Sequence, residues 1–298
     1  MKVSENPDMT ISSSEYSWNA AIEAFESECE PDFLNDPVFI CEYDQEFIEF
    51  VENSEKGRSF VVINDLAIIT HNTTKVHTFI QKVLGTEICG AATKNANLSP
   101  MAFQCDYILC CNAYTCGSIQ QKYYDGGVYI KYDWNLSTKK NPEVVFEVAF
   151  THEPFDVLFY ECCHFLTRYV SDTIYSIGIY IRPSTTTFEM RFFVLQRICP
   201  YNASDALYIG NLYIRRKKDP NLCLSTWIKI PNRLTRPFCA KFFNTNLCYS
   251  RLLTHADILN GAFIIFRLDD LVLDQKIEFS NEMLLALYGL WDEWRGNQ

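Results

Sequence analysis

The chain is most constrained by residues 143–150, which read EVVFEVAF. This run is too apolar to expose either face to water, so it predicts a β-strand that is covered on both sides. Glu147 stands in the middle of the run, where an unpaired charge would cost several kcal/mol. A chain with such a strand must build layers on both faces of a sheet and must give this carboxylate a partner.

Patterns on either side of this strand predict the layers that cover it. The order helix, hairpin, helix, strand, strand, helix, strand indicates the α/β class, as an α+β mixed sheet flanked by helices. The predicted elements are a hairpin at 58–70 turning at Asn64-Asp65, a helix over 74–84 closed by Gly85, strands at 87–93 and 101–112, a helix over 155–169 after Pro154, strands at 174–182, 187–197, 206–215, 222–230 and 262–268, and a helix over 280–294.

The cysteines indicate a reducing compartment. The chain has 13 cysteines, an odd number, and the first 14 residues are polar, without the apolar core of a secretory signal. Cys162 and Cys163 lie in an apolar run and are typical of small buried hydrophobes. The chain has no C-x-x-C pair, which disfavours zinc. We therefore expect an intracellular protein, cytoplasmic or nuclear and not secreted, and one with no membrane span, because no apolar run approaches ~20 residues.

Charge is distributed unevenly along the chain. The formal net charge is −11, but residues 1–60 alone hold 15 Asp or Glu and three Lys or Arg. Residues 211–241 hold eight Lys or Arg against Asp219 alone. This basic segment is either a solvated hairpin or a surface that contacts phosphates, and in the second case the acidic segment could cover it in the free protein.

Two carboxylates stand inside predicted strands. Asp106 lies in FQCDYILCC, as Glu147 does in EVVFEVAF. Acids on neighbouring strands can share a divalent cation, and Mg²⁺ (or Mn²⁺) suits oxygen ligands, water and substrate phosphate. The alternative is that each acid pairs with an arginine or meets water at a strand end.

These segments together resemble the restriction-endonuclease-like superfamily with the PD-(D/E)xK motif, and within it the Uma-type family, as a fungal-type member. The resemblance covers about residues 40–185. It is carried by the hairpin at 60–70, His77 opening the next helix, Cys105-Asp106 in the place of Pro-Asp, the strand at 142–149, and the strand at 174–181.

The chain is expected to divide into an acidic segment with a helix at 1–39, a restriction-endonuclease-like core at 40–200, and a β-rich extension ending in a helix at 201–298. The resemblance implies a metal-dependent nuclease in which Asp106 and Glu147 are the catalytic metal ligands, with the backbone carbonyl of Val148 as a third, and His77 is an auxiliary candidate. Glu49 (or Glu46) on an early helix is either a further auxiliary carboxylate or part of a solvated helix face. His152, which follows Glu147 by five residues, is either an auxiliary site residue or an ordinary capping or surface histidine.

One departure affects the expected activity. The motif places a lysine two residues after the glutamate, and here that residue is Ala149; no lysine occurs between Lys140 and Lys217. Three functions therefore remain open: an active nuclease, a nuclease-fold protein that binds nucleic acid through 211–241 without cutting it, and a protein-interaction module. A protein partner or a second copy of the chain is an open alternative to nucleic acid.

Overall fold

A computed structural model describes residues 40–42, 60–63, 66–69, 75–94, 98, 100–104, 107–109, 119–130, 141–150, 155–166, 173–182, 186–197, 234–235, 245–272 and 275–296. Within these ranges the chain forms two sheets and a small two-stranded ribbon, with helices packed on the larger sheet. The predicted class, a mixed sheet flanked by helices, is confirmed.

The six-stranded sheet is built around β8 (Val144–Ala149), every residue of which is buried. β8 pairs in parallel with β9 (Tyr175–Ile181), and the helix α2 (Phe155–Leu166) lies between them in the chain and packs on both. A parallel pair needs such a crossover, because the chain must return to the starting edge of the sheet. The apolar run at 143–150 therefore forms the covered strand that its sequence predicts.

Antiparallel strands complete this sheet on both sides of the parallel pair. β10 (Glu189–Arg197) and β11 (Thr245–Thr254) follow β9, whereas β7 (Gly126–Tyr129) and β4 (Met101–Gln104) follow β8. The strand order is β11-β10-β9-β8-β7-β4. The strands predicted at 174–182 and 187–197 are confirmed as β9 and β10.

Side-chain alternation gives the sheet two different faces. On the first face Val144, Phe146 and Val148 join the main core with helix α1 (Lys75–Thr93) and helix α4 (Asn281–Gly296). On the second face Val145 packs with Phe165 of α2. We call these the α1 face and the α2 face.

Helix α1 is longer than its sequence predicts. It runs through Gly85 and Gly90, so the predicted stop at Gly85 and the predicted strand at 87–93 are both wrong. Gly85 is buried against β4, where an added Cβ would lie 2.9 Å from the Cβ of Ala102. The glycine therefore permits a close approach of helix and strand and does not end the helix.

The five-stranded sheet has the order β1-β3-β2-β6-β5. Its strands are β1 (Ile40–Glu42), β2 (Phe60–Ile63), β3 (Leu66–Ile69), β5 (Tyr107–Leu109) and β6 (Ile119–Tyr123). Its β5–β6 pair and the β4–β7 pair of the larger sheet come from one stretch of the chain, residues 101–129, which we call the bent hairpin. β2 and β3 pair antiparallel, with Ile63 opposite Leu66, which confirms the predicted hairpin. The predicted turn residues Asn64 and Asp65 lie outside the described residues. The single strand predicted at 101–112 is divided between the two sheets, as β4 and β5.

The C-terminal residues complete the core. β10 pairs with β11 across the intervening segment 198–244, of which the structure describes residues 234–235. Helix α3 (His255–Leu259), the ribbon of β12 (Ile264–Phe266) and β13 (Ile277–Phe279), and α4 follow. The predicted final helix is confirmed as α4, and β12 lies within the predicted strand at 262–268; the predicted strands at 206–215 and 222–230 lie outside the described residues.

A search of the described helices finds none with the length and apolarity needed to cross a bilayer.

Two glycines offer a matched test of packing on the α2 face. Gly178 lies under the ring of Phe193, where an added Cβ would sit 2.0 Å from Cζ, and that ring is held between Phe155 and Phe159. We expect Gly178→Ala to lower the free energy of unfolding by about 1–3 kcal/mol in urea titrations, because the ring must move within a packed layer.

The control is Gly289→Ala in α4, where an added Cβ meets nothing within 4 Å. This variant should be more stable than the wild type by about 0.5–1 kcal/mol, because alanine favours the helix. A Gly178→Ala protein as stable as the wild type would contradict the described packing.

Candidate active site

Glu147 lies in the middle of β8 with 6% of its surface exposed. Alternation along the strand places its side chain on the α2 face, together with Val145 and away from Phe146 and Val148. Its Oε2 accepts a hydrogen bond of 3.2 Å from the backbone N–H of Asp125. The predicted strand therefore holds its carboxylate where the sheet meets the start of β7.

Asp125 is the site residue that the sequence analysis missed. It stands between β6 and β7, and its Oδ2 accepts a hydrogen bond of 2.7 Å from the backbone N–H of Val148. The two acids are thus held reciprocally. The Glu147 carboxylate accepts from the N–H of Asp125, and the Asp125 carboxylate accepts from the N–H of Val148, the residue after Glu147. The bond to Asp125 is at the short end of the usual range, and the two bonds together fix both side chains.

The glycines after Asp125 explain how its strand approaches β8 so closely. An added Cβ at Gly126 would lie 2.0 Å from Cε2 of Phe146, and one at Gly127 would lie 2.8 Å from the side chains of Pro142 and Tyr124. Neither position has room for a side chain. The sequence Asp-Gly-Gly was therefore the signal that could have identified Asp125. It places an acid next to two positions where neighbouring side chains leave room only for glycine.

A second buried carboxylate, Glu161, belongs to α2 and is 2% exposed. It lies one helical turn before Phe165, which packs on Val145, the neighbour of Glu147 on the α2 face. Across the described residues, however, no group of three or more His, Cys, Asp or Glu side chains is close enough to hold a metal ion. Glu161 is thus a further acid in this layer and does not complete a three-acid cluster with Glu147 and Asp125.

Several predicted site residues lie outside the described ranges. These are Asp106, Glu49, Glu46 and His152, together with every basic residue of 211–241. The strands that flank Asp106 are described: β4 ends at Gln104 in the larger sheet, and β5 begins at Tyr107 in the smaller one. The metal role of Asp106 stays a prediction.

The side chains of two other predicted site residues, His77 and Val148, lie on the α1 face, away from the Glu147 side chain. His77 is fully buried in α1, which packs on the α1 face, whereas Glu147 lies on the α2 face. Val148 uses its backbone N–H to bind Asp125, and its side chain belongs to the main core. The auxiliary role of His77 and the ligand role of the Val148 carbonyl stay predictions.

The position of the missing lysine is enclosed. Ala149 is fully buried, and α2 contains no lysine or arginine. On the α2 face Ala149 pairs with Tyr180 of β9, which pairs with Arg191 of β10. Arg191 is therefore two strands away from Ala149, and its Nη2 lies 3.4 Å from Oε1 of Glu189. The side chains of three other cations in this part of the sequence, Lys122, Lys131 and Arg168, lie outside the described residues.

The described cysteines are free thiols. Cys162 and Cys163 are buried in α2, as expected of small hydrophobes, and Cys89 and Cys248 are partly buried. Burial raises the pKa of the Cys89 thiol, which keeps it protonated near neutral pH.

Comparisons with known proteins give one match among solved structures. No family model matches the chain, and no curated protein matches it. The chain is similar to a protein from Anabaena variabilis described as a "putative nuclease belonging to DUF820". The two share 14% sequence identity with a TM-score of 0.34, and the match covers 55% of this chain and 97% of that chain.

Replacing Asp125 tests the reciprocal pair. Asp125→Ala leaves the partly buried Val148 N–H without this acceptor, and we expect the free energy of unfolding to fall by about 1–3 kcal/mol. Asp125→Asn keeps an amide oxygen as an acceptor, so its free energy of unfolding should fall by less. Urea unfolding at neutral pH measures both.

Glu278→Ala on the exposed side of β13 is the control, with an expected change within about 0.5 kcal/mol. Equal losses for the alanine and asparagine variants would show that the acceptor oxygen of Asp125 is not what stabilises this junction.

Proposed function

We propose that this chain is a nuclease-fold protein that binds a divalent cation beside Glu147 and hydrolyses a phosphodiester bond of nucleic acid. The observation that supports the proposal is the held pair of carboxylates, Glu147 and Asp125, at the junction of β8 with the bent hairpin. A buried acid fixed in this way by backbone N–H groups keeps oxygen lone pairs for a cation.

The pairing of the flanking strands supports a role for Asp106 in the same site. Gln104 pairs with Gly126, and Tyr107 pairs with Tyr123, so the described residues before and after Asp106 in sequence pair with the residues after and before Asp125. We infer that Asp106 joins Asp125 and Glu147 at this site.

The residues fit the cation that the resemblance implies. Carboxylate oxygens are the ligands that Mg²⁺ and Mn²⁺ accept, and one or two carboxylates with water and phosphate oxygens form the usual magnesium set. When bound, such an ion supplies an activated water and stabilises charge on the phosphoryl oxygens. Glu147 and Asp106 would hold it, while the N–H of Asp125 orients Glu147 and the N–H of Val148 orients Asp125.

A second candidate function follows from Ala149. Without a cation beside the attacking water the transition state loses stabilisation, by roughly 10²-fold or more on the scale of single electrostatic groups. A chain with the carboxylates but no such cation would bind nucleic acid and cut it slowly or not at all. This alternative is a nucleic-acid-binding protein on the same fold.

Carboxylate variants distinguish these possibilities. We expect Mn²⁺ to bind the wild type by isothermal titration, and binding to be lost in Glu147→Gln and in Asp106→Asn, because each removes a charged ligand. Cleavage of a labelled single-stranded oligonucleotide should fall by about 10²-fold or more in both variants if the wild type is active.

Glu278→Gln removes an exposed carboxylate from β13 and should leave metal binding and cleavage unchanged. Metal binding without cleavage by the wild type would favour the second function. An Asp106→Asn variant that binds Mn²⁺ as the wild type does would overturn the placement of Asp106.

Ala149→Lys tests whether the missing cation limits activity. The substitution places an ammonium group two residues after Glu147, on the same face of β8, and we expect cleavage to rise by about tenfold or more over the wild type. Ala149→Met is the matched control, because it adds a chain of similar length without charge at the same fully buried position. Equal rates for both variants would indicate that a different group supplies the cation or that none is needed.

A further inference from the structure

Large apolar side chains are exposed at four positions in the described part of the chain, and three of them belong to neighbouring elements. Leu259 of α3 is 64% exposed, Phe263 just before β12 is 46% exposed, and Leu285 of α4 is 40% exposed. The fourth, Leu252, lies elsewhere, on the α2 face of β11. Scattered apolar residues are normal on a protein surface, whereas a contiguous group marks an interaction site.

Leu259 and Leu285 lie along the seam between α3 and α4. On α3, Leu259 follows His255 by four residues and so shares its side of the helix, where His255 stacks on Tyr288 with 4.1 Å between ring centroids. On α4, Leu285 follows Asn281 by four residues, and the side chain of Asn281 donates hydrogen bonds of 2.8 and 2.9 Å to backbone carbonyls at and just after the end of α3. Each leucine is therefore on the side of its helix that faces the other helix, and both remain exposed.

Phe263 continues this group onto the outer face of the ribbon of β12 and β13. It comes directly after the second carbonyl that Asn281 binds. Along the ribbon every second residue turns inward to the main core. The exposed residues that alternate with them share the outer face, Phe263 and Arg267 on either side of β12, and Lys276 and Glu278 on the β13 side. Apolar and charged side chains thus adjoin on one surface.

Four charged side chains of this surface are unpaired. Among the described residues none of the four makes an ion pair or a side-chain hydrogen bond, and all are exposed: Glu278, Glu282, Arg267 and Lys276. Glu282 lies one turn before Leu285 on α4, at the end of the surface that carries the leucines. Arg267 and Lys276 lie at the other end, beside the last residue pair of the ribbon. We call these four residues and the three apolar ones the α3–α4 surface.

We propose that the α3–α4 surface binds the same surface of a second copy of the chain. A surface with unpaired acids alone would repel its own copy, whereas this one carries unpaired charges of both signs around an apolar group and is self-complementary. Around a twofold axis every contact is made twice, once in each direction. With the apolar residues near the axis, Glu282 of each copy faces Arg267 and Lys276 of the other, and the three apolar side chains are covered.

This contact leaves the candidate active site accessible. α3, the ribbon and α4 pack on the α1 face through the main core, whereas the side chain of Glu147 lies on the α2 face. The inference is therefore independent of the proposed function, and the dimer is expected whether or not the chain cleaves nucleic acid.

Sedimentation equilibrium of the full chain at ~50 mM salt tests the proposal, because exposed ion pairs are little screened there. We expect the weight-average mass to rise from that of one chain toward that of two between about 1 and 100 μM, since a contact of this size associates weakly. A wild type with the mass of one chain at every concentration would overturn the proposal and leave the surface to a different protein.

Matched glutamate substitutions locate the contact. Leu259→Glu places a charge among the apolar residues and should raise the dissociation constant of the dimer by about tenfold or more. Leu252→Glu is the control, because it makes the same change at a residue 51% exposed on the α2 face, and it should change the constant by less than about twofold. Both positions are exposed, so both variants should unfold in urea as the wild type does. Equal dissociation constants for the two variants would place the contact elsewhere and overturn the proposal.

Charge reversal tests whether opposite charges of the two copies meet. Glu282→Lys and Lys276→Glu should each raise the dissociation constant by about fivefold, since each places like charges opposite each other twice in the dimer. The variant with both substitutions restores opposite charges and should return the constant to within about twofold of the wild type. A double variant that dimerises as weakly as the two single effects combined would show that these charges do not meet, and the self-complementary arrangement would be wrong.

Discussion

The fold depends on keeping one carboxylate inside a fully covered strand. β8 is buried along its whole length, and Glu147 stays there because the backbone of Asp125 donates to it while Asp125 accepts from Val148. This exchange fastens the bent hairpin to the parallel pair β8 and β9. The exchange adds to the pairing of β7 with β8, because a buried acid without hydrogen bonds would cost free energy and the loss of Asp125 would leave the Val148 N–H without this acceptor. Stability and site geometry thus come from the same contacts.

The two faces of the large sheet differ in composition. The α1 face carries a continuous apolar core that reaches from α1 to Trp291 of α4, with the buried polar residues His77 and Gln81 on α1 beside it. The α2 face carries Glu147 and Arg191, and aromatic rings on α2 and β10 lie between them. The sheet can carry these charged residues on one face because its other face supplies most of the apolar burial.

Much of this arrangement was predictable from sequence where burial dictates the pattern. Apolar runs in the sequence identify the strand at 143–150, the helix that follows it and the two strands after that helix. The continuation of α1 past Gly85 was missed because the sequence alone does not distinguish a glycine that allows close packing from one that ends a helix. Asp125 was missed for a different reason: its partner is 22 residues away, and only strand register brings them together. Asp106 lies outside the described residues, and its role stays a prediction.

The pairing of β10 with β11 has a consequence for the order of folding. These strands are separated by 47 residues of sequence, yet they match over nine residue pairs with one shift between Val194 and Leu195. Contacts between residues far apart in sequence form more slowly than local ones. The outer edge of the sheet is therefore expected to form after the β8–α2–β9 unit.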